Sequence, residues 1–142
     1  MTNLITLFTQ YADKLSIDEA TDDYYGFKFL ELYDPGTTKV GDTVEYTMSN
    51  TWTKIDDALL KVEDDTYLFI TVHYVGGGEG EGEHVERVVA VIKSTSGGKG
   101  ILMGYVKLGG YYSSYNGIEW DSETEWEVVT PKPYTAYNWT AA

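Results

Sequence analysis

Three glycine clusters constrain this chain more than any other feature: Gly76-Gly77-Gly78, Gly97-Gly98 and Gly109-Gly110. Together they cut the second half into short apolar runs at 67–75, 84–93 and 101–108. Runs of that length, rich in Val, Ile and Tyr and bounded by turn formers, read as strands. The glycine clusters are their connections, and 94–100 reads as a flexible Gly/Ser/Lys loop. Earlier, 24–33 is another aromatic-rich strand and Asp34-Pro35-Gly36 is a turn. Residues 39–49 alternate Val40, Val44, Tyr46 and Met48 with Thr43, Glu45 and Thr47, a strand with one solvated face. Residues 55–62 fit a short helical turn or a bend into a strand.

Only the start of the chain reads as a helix. Leu4, Leu7, Phe8, Tyr11 and Leu15 form one apolar stripe, with Thr2 or Asn3 as the N-cap. Residues 16–20 extend it or start a second turn. One helix followed by seven or eight short strands predicts an α+β fold: the helix, about 3–16, packs on a strongly curved antiparallel β-sheet or partial barrel. The length of 142 residues fits one domain over 1–142. Its β-rich body covers about 24–130 and its C-terminal tail 131–142, where Tyr137 and Trp139 can dock on the body or on another subunit.

Charge excludes several functions. Ten basic and twenty-three acidic residues give a formal net charge of −13. Direct nucleic-acid binding needs cations that displace counterions, and Arg87 is the lone arginine. Anionic membrane surfaces repel such a chain, and its apolar runs are too short to span a bilayer. No positively charged leader is visible at the first residues. Cysteine is absent, which removes disulfides, thiol catalysis and zinc–thiolate sites and fits the cytoplasm.

Two segments carry most of the functional information. The first is the hairpin connection Gly76-Gly77-Gly78-Glu79-Gly80-Glu81-Gly82-Glu83-His84. Symmetry about Gly78 and Glu79 would set His73 opposite His84, with Thr71 and Glu86 as a neighbouring pair. His73 and His84 are then weak metal candidates, since one register slip separates them. A phosphate cradle needs glycines with a lysine and a helix start, and a calcium loop needs a different acid spacing. The plain reading is a solvated Gly/Glu loop, and the functional one a contact made through Glu79, Glu81 and Glu83.

The second segment is Gly109-Gly110-Tyr111-Tyr112-Ser113-Ser114-Tyr115-Asn116-Gly117-Ile118-Glu119-Trp120-Asp121. Asn-Gly predicts a two-residue turn that sets Tyr115 opposite Ile118, Ser113 opposite Trp120 and Tyr112 opposite Asp121. Its Tyr, Ser, Asn and Gly content suits an adaptable contact surface as well as an ordinary edge hairpin. The aromatic candidates are Tyr111, Tyr112, Tyr115 and Trp120. Beyond it Glu119, Asp121, Glu123, Glu125 and Glu127 alternate. One continuous strand would line them on one face about 6.8 Å apart, with Trp120 and Trp126 behind. A break at 121–124, where Asp, Ser and Thr cluster, is the favoured reading.

The pattern Gly-Gly-Tyr-Tyr-Ser-Ser-Tyr-Asn-Gly-Ile-Glu-Trp-Asp, then Glu-Val-Val-Thr-Pro-Lys, resembles the C-terminal part of small uncharacterised proteins of tailed bacteriophages. Those similarly carry a Gly-Glu-Gly-rich loop upstream, and the likeness covers roughly residues 70–133. It implies a phage or prophage origin, a cytoplasmic role in an infected bacterium and no established activity. No catalytic residue or cofactor is implied.

No nucleophile elbow or catalytic triad is present, and with so many acids no carboxylate pair stands out, so a non-enzymatic role is expected. The first expectation is an acidic inhibitor. It would bind the basic surface of a host nucleic-acid-handling or defence protein, of the anti-restriction, anti-CRISPR or host-takeover type. It would mimic nucleic acid through Glu79, Glu81, Glu83, Glu119, Asp121, Glu123 and Glu125. The alternative is a protein that sequesters a nucleotide signal by stacking on its tyrosines, with Arg87 and Lys107 as phosphate donors. A structural or glycan-contacting phage component is a further alternative, and self-association stays open.

Overall fold

The computed structural model describes residues 3–14, 27–29, 33–48, 59–75, 83–113, 117–120 and 126–131. These contain α1 (Leu4–Lys14), β1 (Phe27–Phe29), β2 (Thr43–Met48), β3 (Leu60–Val62), β4 (Asp65–Val75), β5 (Glu83–Ser96), β6 (Lys99–Ser113), β7 (Gly117–Trp120) and β8 (Glu127–Val129). No helix among them is long and apolar enough to cross a membrane. The expected helix extension at 16–20, residues 55–58 of the ambiguous 55–62 segment and the tail with Tyr137 and Trp139 lie outside the described residues, while the end of that segment, Leu60–Val62, is strand β3.

Helix α1 begins where the sequence predicts. Asn3 Oδ1 accepts hydrogen bonds from the Ile5 amide at 2.9 Å and the Thr6 amide at 3.3 Å, which satisfies donors the first turn leaves open. The apolar stripe then buries Leu7, Phe8, Tyr11 and Ala12. Phe8 stands edge-on to Phe69 and to Trp126, with ring centroids 5.7 and 5.2 Å away.

The strands pair antiparallel in the order β1-β2-β6-β5-β4-β3, and β7 and β8 add to the edge of β6. β4, β5 and β6 are the long members. Their side chains alternate between two apolar layers. Tyr67, Phe69, Val89, Val91, Val106 and Leu108 face α1 and Trp126. Leu68, Ile70, Ala90, Ile92, Leu102 and Tyr105 form the second layer, packed with Phe29, Tyr33 and Tyr46. Each such aliphatic or aromatic side chain contributes roughly 1.5–3 kcal/mol on burial.

This two-sided burial corrects the expected strong curvature or partial barrel. A barrel's side-chain interior uses one face of each strand, whereas the unbroken runs 67–70 and 88–92 need cover on both. The sheet accordingly stays open and is not strongly curled. β1 approaches β4, but no ladder joins them among the described residues.

Two glycine clusters also depart from expectation. β5 continues to Ser96 and β6 starts at Lys99, so the flexible 94–100 connection shrinks to Gly97 and Gly98. Gly98 has φ +78°, and its carbonyl accepts a bond from the Tyr46 amide at 3.0 Å, which ties the turn to β2. Gly109 and Gly110 lie inside β6 rather than between strands, paired with Glu86 and Val85 of β5.

Irregularities bend the long strands. Met103 is the extra residue where the β5–β6 register shifts, and Gly104 beside it adopts φ +151°. A Cβ on Gly104 would stand 2.5 Å from Leu4 Cδ1, so the glycine lets α1 approach the sheet closely. In β4, Thr71 pairs with Val89 and His73 with Val88, which leaves Val72 as a bulge. After it, His73 takes the same face as Ile70 and Val72 instead of the helix face.

Candidate functional site

The ladders bring the two information-bearing segments to one end of the sheet. Glu83 pairs with Tyr112 and Tyr112 with Ile118, so β5, β6 and β7 meet on neighbouring rungs where residues 76–82 and 114–116 connect them. The β3–β4 and β5–β6 turns lie at the opposite end.

The β4–β5 register corrects the histidine pairing. His73 lies opposite Val88 and the last pair is Val75 with Glu86, a register four positions from the expected one. Thr71 likewise faces Val89, not Glu86. His84 pairs with Tyr111 of β6, and their rings meet edge-on at 5.8 Å. The bulge supplies one position of this offset, and the Gly/Glu repeat has no residue that fixes a turn centre. The two histidines therefore share no site. His73 Nε2 instead lies 3.6 Å from Glu86 Oε2.

The second hairpin also shifts. Ser113 pairs with Gly117, Tyr112 with Ile118, Tyr111 with Glu119 and Gly110 with Trp120. Three residues, 114–116, connect the strands, and Gly117 belongs to β7 instead of the turn. Three-residue hairpin loops are among the next commonest classes after two-residue ones.

The candidate residues distribute as follows. Tyr111 is 54% exposed, as a contact residue requires. Trp120 packs partly against the helix-side layer and the Arg87 guanidinium lies 5.4 Å from its ring centre. Glu83, Glu119 and Tyr112 sit at the acidic end by register. Glu79, Glu81, Asp121, Glu123, Glu125 and Tyr115 lie outside the described residues. Glu119 and Glu127, the two ends of the row of alternating acids, do not share one register on β6: Glu119 pairs with Tyr111 and Glu127 with Lys107, a shift of four positions, and 121–125 lie outside the described residues. Trp126, between them, is buried beside Phe8.

Among the described residues, the ion pairs of Lys93 and Lys99 lie away from the acidic end. Lys93 pairs with Asp65 at 3.4 Å and Lys99 with Glu45 at 4.0 Å, both at the opposite end of the sheet. Lys107 Nζ lies 3.0 Å from Glu86 Oε1. Arg87 and Lys107, the two phosphate donors that a nucleotide would need, lie on opposite faces of the sheet by register. Among the described residues no group of three or more His, Asp or Glu side chains gathers as a metal ligand set.

Between these groups, on the second face, Val72, Val88 and Val129 line a cleft of about 520 Å³ with His73, Glu86 and Tyr105. The Tyr105 hydroxyl hydrogen-bonds that of Tyr33, whose ring stacks on Phe29 at 3.8 Å. Burial first, and then this hydrogen bond, push the Tyr33 phenol well above its usual range, so it stays protonated. Sequence reasoning missed this cleft. Its one local signal is the consecutive Val72-His73 inside an otherwise apolar run.

Comparison with protein-family models, with curated proteins and with solved structures returns no match.

Proposed function

We propose that this is a non-enzymatic acidic binding protein. It docks the Gly/Glu end of its sheet onto a cationic, nucleic-acid-handling surface of another protein and blocks it. The observation that carries the reading is the register. It sets the flanks of two acid-rich segments on adjacent rungs, Glu83 with Tyr112 and Glu119 with Tyr111. A patch of one sign attracts the surface that nucleic acid would otherwise occupy. Exposed Tyr111 supplies apolar contact area beside the carboxylates. The resemblance of the Gly-Gly-Tyr-Tyr-Ser-Ser-Tyr-Asn-Gly-Ile-Glu-Trp-Asp pattern to tailed-phage proteins supports reading this activity as one in the cytoplasm of an infected bacterium, against a defence or nucleic-acid enzyme.

A pull-down from bacterial lysate at low and high salt tests the reading. A basic nucleic-acid enzyme retained at low salt, and released by high salt or by added duplex DNA, supports it. Retention insensitive to both salt and DNA contradicts it.

A further inference from the structure

The cleft on the second face has a construction of its own. The bulge at Val72 turns two consecutive side chains, Val72 and His73, toward it. Val88 and Val129 complete the apolar lining, and Pro35, Thr130 and Pro131 form the rim. Its volume of about 520 Å³ falls within the range of small-molecule sites.

Polar groups converge at one end. Lys107 binds Glu86 Oε1 at 3.0 Å, so the carboxylate's charge is largely offset. Glu86 Oε2 and His73 Nε2 are 3.6 Å apart, too far for a good hydrogen bond to each other. Each keeps hydrogen-bonding capacity, and they sit side by side. An acceptor next to an imidazole matches a ligand edge that carries an N–H donor beside a carbonyl. The Tyr105 hydroxyl is already engaged by Tyr33, so it shapes the cleft more than it recognises polar groups.

Charge selects further. A chain at −13 repels phosphates, and Lys107, the cation that reaches Glu86 on this face, is paired with it, while Arg87 lies on the other face over the Trp120 ring.

We propose that this cleft binds an uncharged heterocycle with an amide-type edge, in the class of a free nucleoside without phosphate, held between Glu86 and His73 over the valine floor. The N–H of the ring donates to Glu86 Oε2. Its carbonyl accepts from His73. The site is independent of the acidic end and of the protein partner proposed for it.

The experiment is an NMR titration of the whole protein, read at the His73 imidazole resonances. The probes are uridine and inosine, their 5′-monophosphates, and 3-methyluridine, which lacks the ring N–H. The expected result is saturable binding of at least one nucleoside, weaker by about tenfold or more for its monophosphate; if uridine binds, 3-methyluridine is weaker by a similar factor. Glu86→Gln and Thr130→Trp, which blocks the exposed rim, each weaken it by a similar factor while the melting transition stays in place. No saturable shift with either nucleoside overturns the proposal. So does equal binding by the monophosphate, or undiminished binding by both variants.

Discussion

The ring of Tyr11 stacks on the ring of Phe69, with centroids 4.3 Å apart and planes 22° from parallel. This contact joins α1 to the middle of β4. Burial pushes the Tyr11 phenol up to about 12 from its ordinary value of 10. Below pH 10 the phenol is protonated in both states and its contribution is complete. As pH rises from 10 toward 12 the unfolded chain loses the proton first, so stability falls. The loss reaches roughly 3 kcal/mol once the folded phenol also ionises. Tyr33 acts in the same direction. Urea midpoints between pH 8 and 11.5 should drop steeply above pH 10, and Tyr11→Phe should flatten that decline.

Phe8 is fully buried between Phe69 and Trp126. Phe8→Ala leaves a cavity at the helix–sheet contact and should cost about 3–5 kcal/mol. Chemical unfolding gives the magnitude. A red shift of tryptophan emission at low denaturant would show that Trp126 has lost its cover.

Gly97, in the β5–β6 turn, and Gly100, paired with Ser94 inside the ladder, make a clean comparison. A Cβ on Gly97 meets nothing within 4 Å, whereas one on Gly100 would lie 2.5 Å from Ile92 Cγ2 and 2.7 Å from the Lys93 carbonyl oxygen. Backbone cannot move aside as a side-chain tip can. Gly100→Ala should therefore cost about 1–3 kcal/mol, the usual range for overpacking. Gly97→Ala should stay within about 0.5 kcal/mol, the usual range for surface changes. Thermal melts of the two variants check this.

Much of the framework was legible from local patterns. Asn3 and the Leu4, Leu7, Phe8, Tyr11 spacing announced α1, and Val44 against exposed Thr43, Glu45 and Thr47 announced the half-solvated β2. What was not legible has a common cause. The run 67–75 is apolar on both faces, so it contains no alternation that could betray the bulge at Val72. Glycine reads the same whether it turns the chain, as at Gly98, or lies within a strand, as at Gly110. The Gly/Glu repeat offers no unique turn centre, so the His73–His84 pairing was misplaced. The Lys107–Glu86–His73 cluster depends on three strands and has no signature along the chain.

The Lys107–Glu86 pair is partly solvated, with Glu86 26% and Lys107 37% exposed. Pairs of that exposure contribute on the order of 0–1 kcal/mol. Glu86→Gln should shift the urea midpoint only slightly, and less at high salt. A large destabilisation would mean the carboxylate has a heavier structural role.

The central claim is that the acidic end of the sheet, rather than total charge, binds the partner. The most direct measurement compares two variants in a low-salt pull-down. One neutralises Glu79, Glu81, Glu83, Glu119, Asp121, Glu123 and Glu125 to Gln or Asn. The other neutralises Asp13, Asp18, Glu19, Asp22, Asp23, Glu45 and Asp64, an equal number elsewhere in the sequence. Capture of a basic nucleic-acid enzyme should be lost in the first and kept in the second. Equal capture by both variants, or equal loss in both, would contradict it.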